Sequence, residues 1–188
     1  MNRLHRWLCG SARWKSTVES HILPWTLEGV DLGQDVLEVG PGPGASTEIL
    51  RGRVKHLTCV ETDASLADAL RQRYASGNVR VLHEDATSMS LRDGSFDGAV
   101  CFSMLHHVPS AALQDRLLSE VCRTLRPGGV FAGTDSLYSL PLRLLHVGDT
   151  MILVDPAQFP ARLEAAGFGD IHVELKEPYA FRFRARKI

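Results

Sequence analysis

The stretch that most constrains the fold of this chain runs from Asp35 to Leu50 and reads D-V-L-E-V-G-P-G-P-G-A-S-T-E-I-L. A short apolar run ends in three glycines at alternate positions, Gly40, Gly42 and Gly44, and a helix-compatible segment follows. This pattern predicts a strand, a tight glycine loop and a helix, the arrangement that brings a nucleotide-like ligand against bare backbone. Glycine suits such a loop because it has no Cβ to hold the ligand away.

The loop alone leaves two ligand classes open. Gly40, Gly42 and Ala45 satisfy the dinucleotide fingerprint G-x-G-x-x-G/A. Glu38, two residues before the first glycine, argues against a diphosphate because its carboxylate would repel one. An acid at that place attracts a cationic ligand, and S-adenosylmethionine carries both an ammonium and a sulfonium.

The segment from Glu38 to Gly44, E-V-G-P-G-P-G, resembles motif I of the class I S-adenosylmethionine-dependent methyltransferases. The segment L-R-P-G-G-V-F, from Leu125 to Phe131, resembles the same family at the matching place in the chain. The run L-H-H-V-P after the fourth predicted strand is similar to the small-molecule branch, which includes quinone-biosynthesis-like methyltransferases. The resemblance covers most of the chain and implies S-adenosylmethionine as the cofactor.

The expected fold is a single α/β domain over residues 1–188. The pattern of short apolar runs predicts strands at 35–39, 56–60, 79–83, 96–102, 130–135, 171–175 and 181–188. The resemblance implies a doubly wound, Rossmann-like sheet in the order 3-2-1-4-5-7-6. In that sheet the last strand is antiparallel and helices cover both faces. The alternation of phenylalanines and arginines in 181–188 predicts a last strand with one solvated face.

Two acids at strand ends are the main candidates for holding the cofactor. Glu61 ends strand two, about 20 residues beyond the glycine loop, where a carboxylate accepts hydrogen bonds from ribose hydroxyls. Asp85 follows strand three, where the family carries an acid that meets the adenine amino group, and Ala86 would offer its backbone N–H to the ring. The predicted cofactor-binding residues are Glu38, Gly40, Gly42, Gly44, Glu61, Thr62, Asp85, Ala86 and Phe102.

Three histidines are candidates for a general base. His106 and His107 follow strand four, at the carboxyl edge where ligands bind in open α/β sheets. His146 and Asp149 are spaced to share a helical face, as a base and the group that orients it. The alternative for His106 and His107 is a packing role, one beside adenine and the other ordering the loop. Tyr138 is a further candidate.

Two segments outside the core pattern point to the acceptor. Residues 1–25 predict an amphipathic helix with Trp7 and Trp14 on its apolar face, which either packs on the sheet, covers the cofactor or touches a membrane surface. Residues 136–155 are too long and too apolar for a simple connector, which predicts a substrate-covering insertion that is helical in its first half. Both segments favour a small apolar or aromatic acceptor.

Composition excludes several classes of protein. The chain has 188 residues and a formal net charge of -1, which argues against a nucleic-acid partner. It also lacks the N-L-P-Y-type tetrad of the rRNA adenine dimethylases, which its motif I otherwise resembles. The 4 cysteines are widely spaced, so they predict reduced packing thiols rather than a zinc site, and no metal site is expected. Without a run of about 20 apolar residues, the expected location is the cytoplasm.

The predicted function is transfer of a methyl group from S-adenosylmethionine to oxygen, carbon or nitrogen of a small acceptor. The cofactor brings an activated methyl group, so the protein has mainly to position the acceptor and exclude water. Three alternatives stay open: a non-catalytic S-adenosylmethionine-binding protein, a phospholipid headgroup methyltransferase and a nicotinamide-dependent reductase. The oligomeric state is not predicted.

Overall fold

A seven-stranded mixed sheet forms the centre of the protein. The computed structural model describes residues 2–188, without the side chain of Arg3, and Met1 of the predicted N-terminal helix lies outside the described residues. The strands are β1 (Asp35–Val39), β2 (His56–Glu61), β3 (Val79–His83), β4 (Phe96–Phe102), β5 (Leu125–Ser136), β6 (Phe168–Lys176) and β7 (Ala180–Lys187). Their order is β3-β2-β1-β4-β5-β7-β6, with β7 antiparallel to both of its neighbours. The predicted fold class and strand order are confirmed.

Helices pack on both faces of this sheet. They are α1 (Arg3–Cys9), α2 (Ala12–Thr17), α3 (Leu23–Thr26), α4 (Ala45–Leu50), α5 (Ala64–Arg73), α6 (Ala111–Thr124), α7 (Leu140–Leu145) and α8 (Phe159–Ala165). The protein has one hydrophobic core on each face of the sheet. Strand β1 contributes to both cores, because its successive side chains point to opposite faces. Val36 packs with Leu50 of α4 and Leu70 of α5, whereas Leu37 packs with Leu117 of α6. The sheet is therefore buried on both sides near the glycine loop.

The N-terminal segment is a bent helical arm rather than the one amphipathic helix that was predicted. Helix α1 ends at Gly10, and Ser11 starts α2 by accepting a hydrogen bond from the Trp14 N–H on its Oγ (3.1 Å). A π-helical turn, Val18–Ile22, connects α2 to α3. Because glycine and serine are favoured at helix ends, this pair separates two helices that the apolar spacing alone makes continuous.

The insertion at 136–155 contains α7, so its first half is helical as predicted. Ser139 caps this helix, and Gln114 of α6 ties down the end of the segment by donating to the Ile152 carbonyl (2.8 Å). Asn2 joins the insertion to α1, since its side chain donates to the Leu145 carbonyl (2.7 Å). The N-terminal arm and the insertion therefore meet across the carboxyl edge of the sheet.

Several element boundaries differ from the prediction. Strand β5 begins at Leu125 rather than at 130, because Leu125 already pairs with Phe96 of β4; Arg126 to Gly129 form an irregularity in the register before pairing resumes at Val130. Helix α8 begins at Phe159 rather than at 156, which places Pro160 in the first turn, where its missing N–H costs nothing. Strand β6 is longer than predicted at both ends.

The arginines of β7 lie on a partly solvated face, as the alternation predicted. Phe181 and Phe183 are buried, while Arg182 donates to Glu174 of β6 (2.6 Å) and to Glu28 (3.0 Å). Its guanidinium also lies over the ring of Trp25. Within residues 2–188, no helix has the length and apolarity that crossing a bilayer requires.

Candidate active site

The glycine loop between β1 and α4 forms the floor of the candidate site. Gly40, Gly42 and Gly44 all have positive φ, at 66°, 55° and 84°. A Cβ on Gly42 would meet nothing within 4 Å, whereas one on Gly44 would lie 2.6 Å from a Leu70 methyl group. Gly44 is therefore needed for packing, and Gly42 keeps an open face of backbone toward the space above the loop.

Glu38 lies behind this loop and not in the site. It is 1 % exposed, and its carboxylate accepts hydrogen bonds from the hydroxyls of Ser46 and Thr47, the latter at 2.7 Å. Burial raises the pKa of this carboxyl, against the effect of those hydrogen bonds. The direct ligand contact predicted for Glu38 gives way to an indirect role, in which the carboxylate holds the first turn of α4 against β1.

Glu61 and Asp85 lie where the strand-end argument placed them. Glu61 accepts the N–H of Gly42 on one carboxylate oxygen and the N–H of Asp63 on the other, both at 2.9 Å. Each oxygen still has a free lone pair, so Glu61 fixes the loop and can also accept bonds from a ligand. Asp85 accepts the Thr87 N–H (2.8 Å) at the end of β3.

A cavity of about 540 Å³ lies above the loop, at the carboxyl ends of β1, β2, β3 and β4. Of the predicted cofactor contacts, those that line it are Gly40, Gly42, Glu61, Thr62, Asp85, Ala86 and Phe102. Two are absent from the lining, Glu38 and Gly44. Ligand pockets commonly measure about 300–1,000 Å³, so the space suits a nucleoside-sized ligand together with a small second molecule.

The N-terminal arm covers part of this cavity. Leu8 of α1, with Trp14 and Val18 beyond the bend, contributes to the lining. Arg6 pairs with Asp63, the residue that caps α5, and donates to the Ser65 hydroxyl at 2.7 Å. The arm is thus attached directly beside Glu61 and Thr62, which supports the lid among the three predicted roles for this segment.

His106 has a fixed orientation beside the cavity. It lies in a short 3₁₀ helix, Leu105–His107, that follows β4. Its ring Nδ1 and its backbone N–H both bond to the carboxylate of Asp135 on β5, the latter at 3.0 Å. Because a carboxylate only accepts, Nδ1 carries a proton, and in the neutral ring the lone pair is therefore on Nε2. Nε2 is buried and has no hydrogen-bond partner.

His146 is not oriented in the way that was predicted. It follows the last residue of α7, and its Nδ1 bonds to the Leu142 carbonyl (2.8 Å) rather than to Asp149. Asp149 instead accepts the backbone N–H of Asn2 (2.8 Å) and lies 4.0 Å from Nδ1 of His5. The predicted pair of His146 and Asp149 does not form, and the histidine that a carboxylate does orient is His106, which bonds to Asp135.

Four histidine rings gather at this end of the cavity. His5 comes from α1, His106 and His107 come from the 3₁₀ helix, and His146 comes from the insertion. Ring centroids lie 4.4 Å apart for His106 and His107, and 4.5 Å apart for His5 and His146. Burial and the neighbouring histidines lower the pKa of His5 to about 4 and that of His107 to about 3. Both rings are therefore neutral at neutral pH.

Three residues of this site were missed from the sequence. His5 and Met104 line the cavity, and Asp135 orients His106. A signal existed for Asp135, because it is the last residue of the strand predicted at 130–135, although the observed β5 runs on to Ser136. No pattern in the sequence brings His5 here, since its position depends on how the N-terminal arm folds over the sheet.

Comparison with known proteins gives one family and several relatives. The family model described as a methyltransferase domain matches residues 37–133. A probable S-adenosylmethionine-dependent methyltransferase of Mycolicibacterium smegmatis is 30% identical over 72% of this chain and 52% of its own length. A ubiquinone biosynthesis O-methyltransferase of Paraburkholderia xenovorans is 30% identical over 69% of this chain and 58% of its own length.

Other matches are shorter or concern the fold alone. Ribosomal RNA small subunit methyltransferases match between 35% and 43% of the chain. The crystal structure of a SAM dependent methyltransferase from Aquifex aeolicus superposes with a TM-score of 0.79, covering 100% of both chains at 18% identity. The chain spans from 25% to 58% of the length of these curated relatives.

Proposed function

The chain belongs to the class I S-adenosylmethionine-dependent methyltransferases, and we propose that it transfers the methyl group of this cofactor to a small, apolar or aromatic acceptor. The observation that carries the proposal is the position of Glu61. This carboxylate holds the Gly42 N–H and faces the same cavity as Asp85. An acid at each of these strand ends matches a ligand with a ribose and an adenine.

The residues present fit this cofactor. Glu61 would hold the ribose hydroxyls, Asp85 and Ala86 would hold the adenine, and the open face of Gly42 would lie beneath the chain that joins them. When bound, S-adenosylmethionine supplies a methyl group on a sulfonium, so no further activation of the methyl group is needed. What the protein must provide is position, exclusion of water and, for a hydroxyl acceptor, removal of a proton.

His106 is the proposed proton acceptor. Its Nε2 keeps a lone pair because Asp135 holds the Nδ1 proton, and the residue lines the cavity. Asp135 is a positioning residue, since it acts only through the His106 ring. We expect His106→Asn and Asp135→Asn to lower kcat while leaving KM for the cofactor near that of the wild type.

The surroundings of the cavity support an apolar acceptor. Leu8, Trp14, Met104, Leu142 and Leu145 are among its lining side chains. Further large apolar side chains stay exposed on α1 and on the insertion beside it, namely Leu4, Trp7, Leu140, Leu144 and Val147. We propose that these exposed residues let an apolar acceptor, or the membrane that carries one, approach the cavity. Flotation with liposomes, comparing the full chain with the Trp7→Ser variant, tests the membrane contact.

Turnover separates an enzyme from a protein that only binds the cofactor. The experiment incubates the chain with S-adenosylmethionine and a panel of phenols, hydroquinones, thiols, amines, amino acids and nucleotides, and measures S-adenosylhomocysteine. We expect turnover with apolar or aromatic members of the panel and its loss in His106→Asn. Turnover confined to free amino acids or nucleotides would contradict the proposed acceptor class. Cofactor binding with no turnover on any compound would favour the non-catalytic alternative.

A further inference from the structure

The histidine cluster leaves more unsatisfied ring nitrogens than packing alone explains. Among the described residues, five buried side-chain nitrogen or oxygen atoms lack a hydrogen-bond partner, and four of them belong to His5, His106, His107 and His146. Burying a polar atom without a partner costs roughly 1–3 kcal/mol. Several such atoms in one cluster indicate a ligand that satisfies them together.

Three of these histidines have ring nitrogens that lie close to one another. The ligand atoms of His5, His107 and His146 all lie within 4.8 Å of one another. At a metal–nitrogen distance of about 2.0–2.1 Å, two nitrogens of a tetrahedral zinc ion lie about 3.4 Å apart. The nitrogens would therefore have to approach one another by up to about 1.4 Å, a distance that small side-chain rotations can cover.

The surroundings of His146 fix the state that metal binding requires. Its Nδ1 donates to the Leu142 carbonyl, which leaves the lone pair of Nε2 pointing away from that bond. A hydrogen bond from the second ring nitrogen to a backbone carbonyl is the usual outer-shell arrangement of metal-binding histidines. His146 is 4 % exposed and His5 is 7 % exposed, so bulk water does not satisfy the unpaired nitrogen of either ring.

The three histidines are also held before any ligand arrives. Asn2 positions the start of α1 by accepting the His5 N–H (2.9 Å) and donating to the Leu145 carbonyl (2.7 Å), next to His146. The Ile152 N–H donates to the His106 carbonyl (2.8 Å), which ties the insertion to the 3₁₀ helix that carries His107. Three separate segments are thus fastened to one another around the cluster.

We propose that His5, His107 and His146 bind a divalent transition-metal ion, with Zn²⁺ the best match. Three imidazoles with no thiolate suit zinc among the first-row metals, and three protein ligands leave one tetrahedral position open. His5 and His107 line the same cavity as Glu61, so the open position faces the space assigned to the acceptor. With the proposed function as the premise, we infer that the acceptor carries a thiol, hydroxyl or amine that binds the ion at this open position.

This site differs from the sequence-based expectation that the chain holds no metal. The expectation rested on the cysteines, and all 4 of them are free thiols. The three histidines lie far apart in the sequence and in no recognised spacing. They converge only because the N-terminal arm and the insertion meet beside the 3₁₀ helix.

Metal binding is tested on the full, untagged chain after removal of bound metal with a chelator. The protein is titrated with Co²⁺, followed by its visible absorption, and Zn²⁺ is then added in competition. We expect one equivalent of Co²⁺ with a tetrahedral spectrum, displaced by Zn²⁺. His5→Ala and His146→Ala should each weaken binding by roughly 100-fold or more, since even outer-shell losses cost about 10–100-fold. His172→Ala, which removes an exposed histidine on β6, should bind like the wild type.

Circular dichroism, calorimetry and a thiol probe distinguish a variant that unfolds, a metal site that is absent and a cofactor that does not bind. His5→Ala changes only the peripheral arm, so its circular dichroism should match the wild type even if His146→Ala unfolds. No stoichiometric Co²⁺ on the wild type, with S-adenosylhomocysteine still bound in calorimetry, would overturn the metal site and leave the proposed function standing. Metal binding without cofactor binding would overturn the proposed function instead. Thiophenol should add a sulfur-to-cobalt charge-transfer band, and an unchanged spectrum would contradict the open position for the acceptor.

Discussion

At the scale of single residues, Glu38 and Glu61 show how similar acids at neighbouring strand ends take different roles. Both are buried, at 1 % and 6 % exposure. Glu61 is the last residue of β2 and lines the cavity, whereas Glu38 lies one residue before the end of β1 and turns toward α4. The register pairs Glu38 with Cys59, so Glu61 points to the same face of the sheet but lies two residues farther toward its carboxyl edge. This difference in position along the strands decides which acid lines the cavity.

A first prediction concerns Glu38. Replacing it with alanine leaves the Ser46 and Thr47 hydroxyls buried without their acceptor, so the free energy of unfolding should fall by roughly 1–3 kcal/mol. Glu38→Gln keeps one carbonyl acceptor and should lose less. Urea unfolding at neutral pH measures both variants.

The matched control for Glu38 is Glu19→Ala, which removes an exposed acid on the N-terminal arm. Surface substitutions of this kind usually change stability by no more than about 0.5 kcal/mol. A Glu38→Ala variant as stable as the control would show that the carboxylate does not hold α4.

Strand-end acids could be predicted from the sequence, and the histidine cluster could not. Glu61 and Asp85 follow apolar runs at the spacing that the fold requires, so periodicity was enough to place them. Asp135 obeys the same rule and was overlooked. His5 lies outside the sheet, and its position is decided by tertiary contacts of Asn2 with the insertion, which leave no periodic trace in the sequence.

At the scale of elements, the N-terminal arm is the part that departs most from its sequence pattern. The apolar spacing continues through Gly10, yet the helix bends there. A Cβ on Gly10 would lie 4.0 Å from Cβ of Pro43, so the bend occurs directly over the glycine loop. The arm is therefore shaped by its contact with the site as well as by its own amphipathic face.

A second prediction concerns the attachment of this arm. Arg6→Ala removes the ion pair with Asp63 and the bond to Ser65, so α1 should leave the cavity more readily. An exposed pair of this kind is worth about 0.2–1 kcal/mol, which predicts up to about a fivefold weaker affinity for S-adenosylhomocysteine and a faster release. Stopped-flow dissociation measures the rate, with Arg13→Ala on exposed α2 as control. Equal release rates for both variants would argue against a lid.

At the scale of the whole molecule, the order of the sheet decides where the chemistry lies. Strands β1 and β4 are neighbours although they are distant in the sequence, so the glycine loop and the 3₁₀ helix after β4 meet at one edge. Met104, just after β4, packs against Gly40 of the loop: a Cβ on Gly40 would lie 2.9 Å from the terminal methyl group of Met104. This topology could be predicted because the family resemblance covered most of the chain.

A third prediction concerns the opposite edge of the sheet, where Arg126 joins Asp35 and Asp97. A hydrogen bond from His56, and the pairing with Arg126, lower the pKa of Asp35. The Asp97 carboxylate accepts the backbone N–H of Asp35 (2.9 Å), and this bond, together with Arg126, lowers the pKa of Asp97. Lowered folded-state pKa values give stability that is present above the unfolded pKa of about 4 and is lost as the pH falls below it.

Thermal unfolding of wild type and Arg126→Gln across this range tests the sign. The wild type should exceed the variant in Tm at pH 5 to 7, and the difference should shrink as the pH falls below about 4. Arg92→Gln, an exposed arginine outside this group, should show a difference from wild type that does not depend on pH. A difference in Tm between wild type and Arg126→Gln that stays constant as the pH falls below about 4 would contradict the role given to Arg126.

The central claim is that Glu61 and the glycine loop hold S-adenosylmethionine, and calorimetric titration tests it most directly. The wild type and Glu61→Ala are titrated with S-adenosylmethionine, S-adenosylhomocysteine and NADH, with circular dichroism as a check on folding. We predict micromolar binding of the first two ligands. Glu61→Ala should weaken it by about 10–100-fold, because hydrogen bonds to a charged group are worth about 1.5–3 kcal/mol. Tight binding of NADH, with neither of the other ligands bound, would contradict the claim.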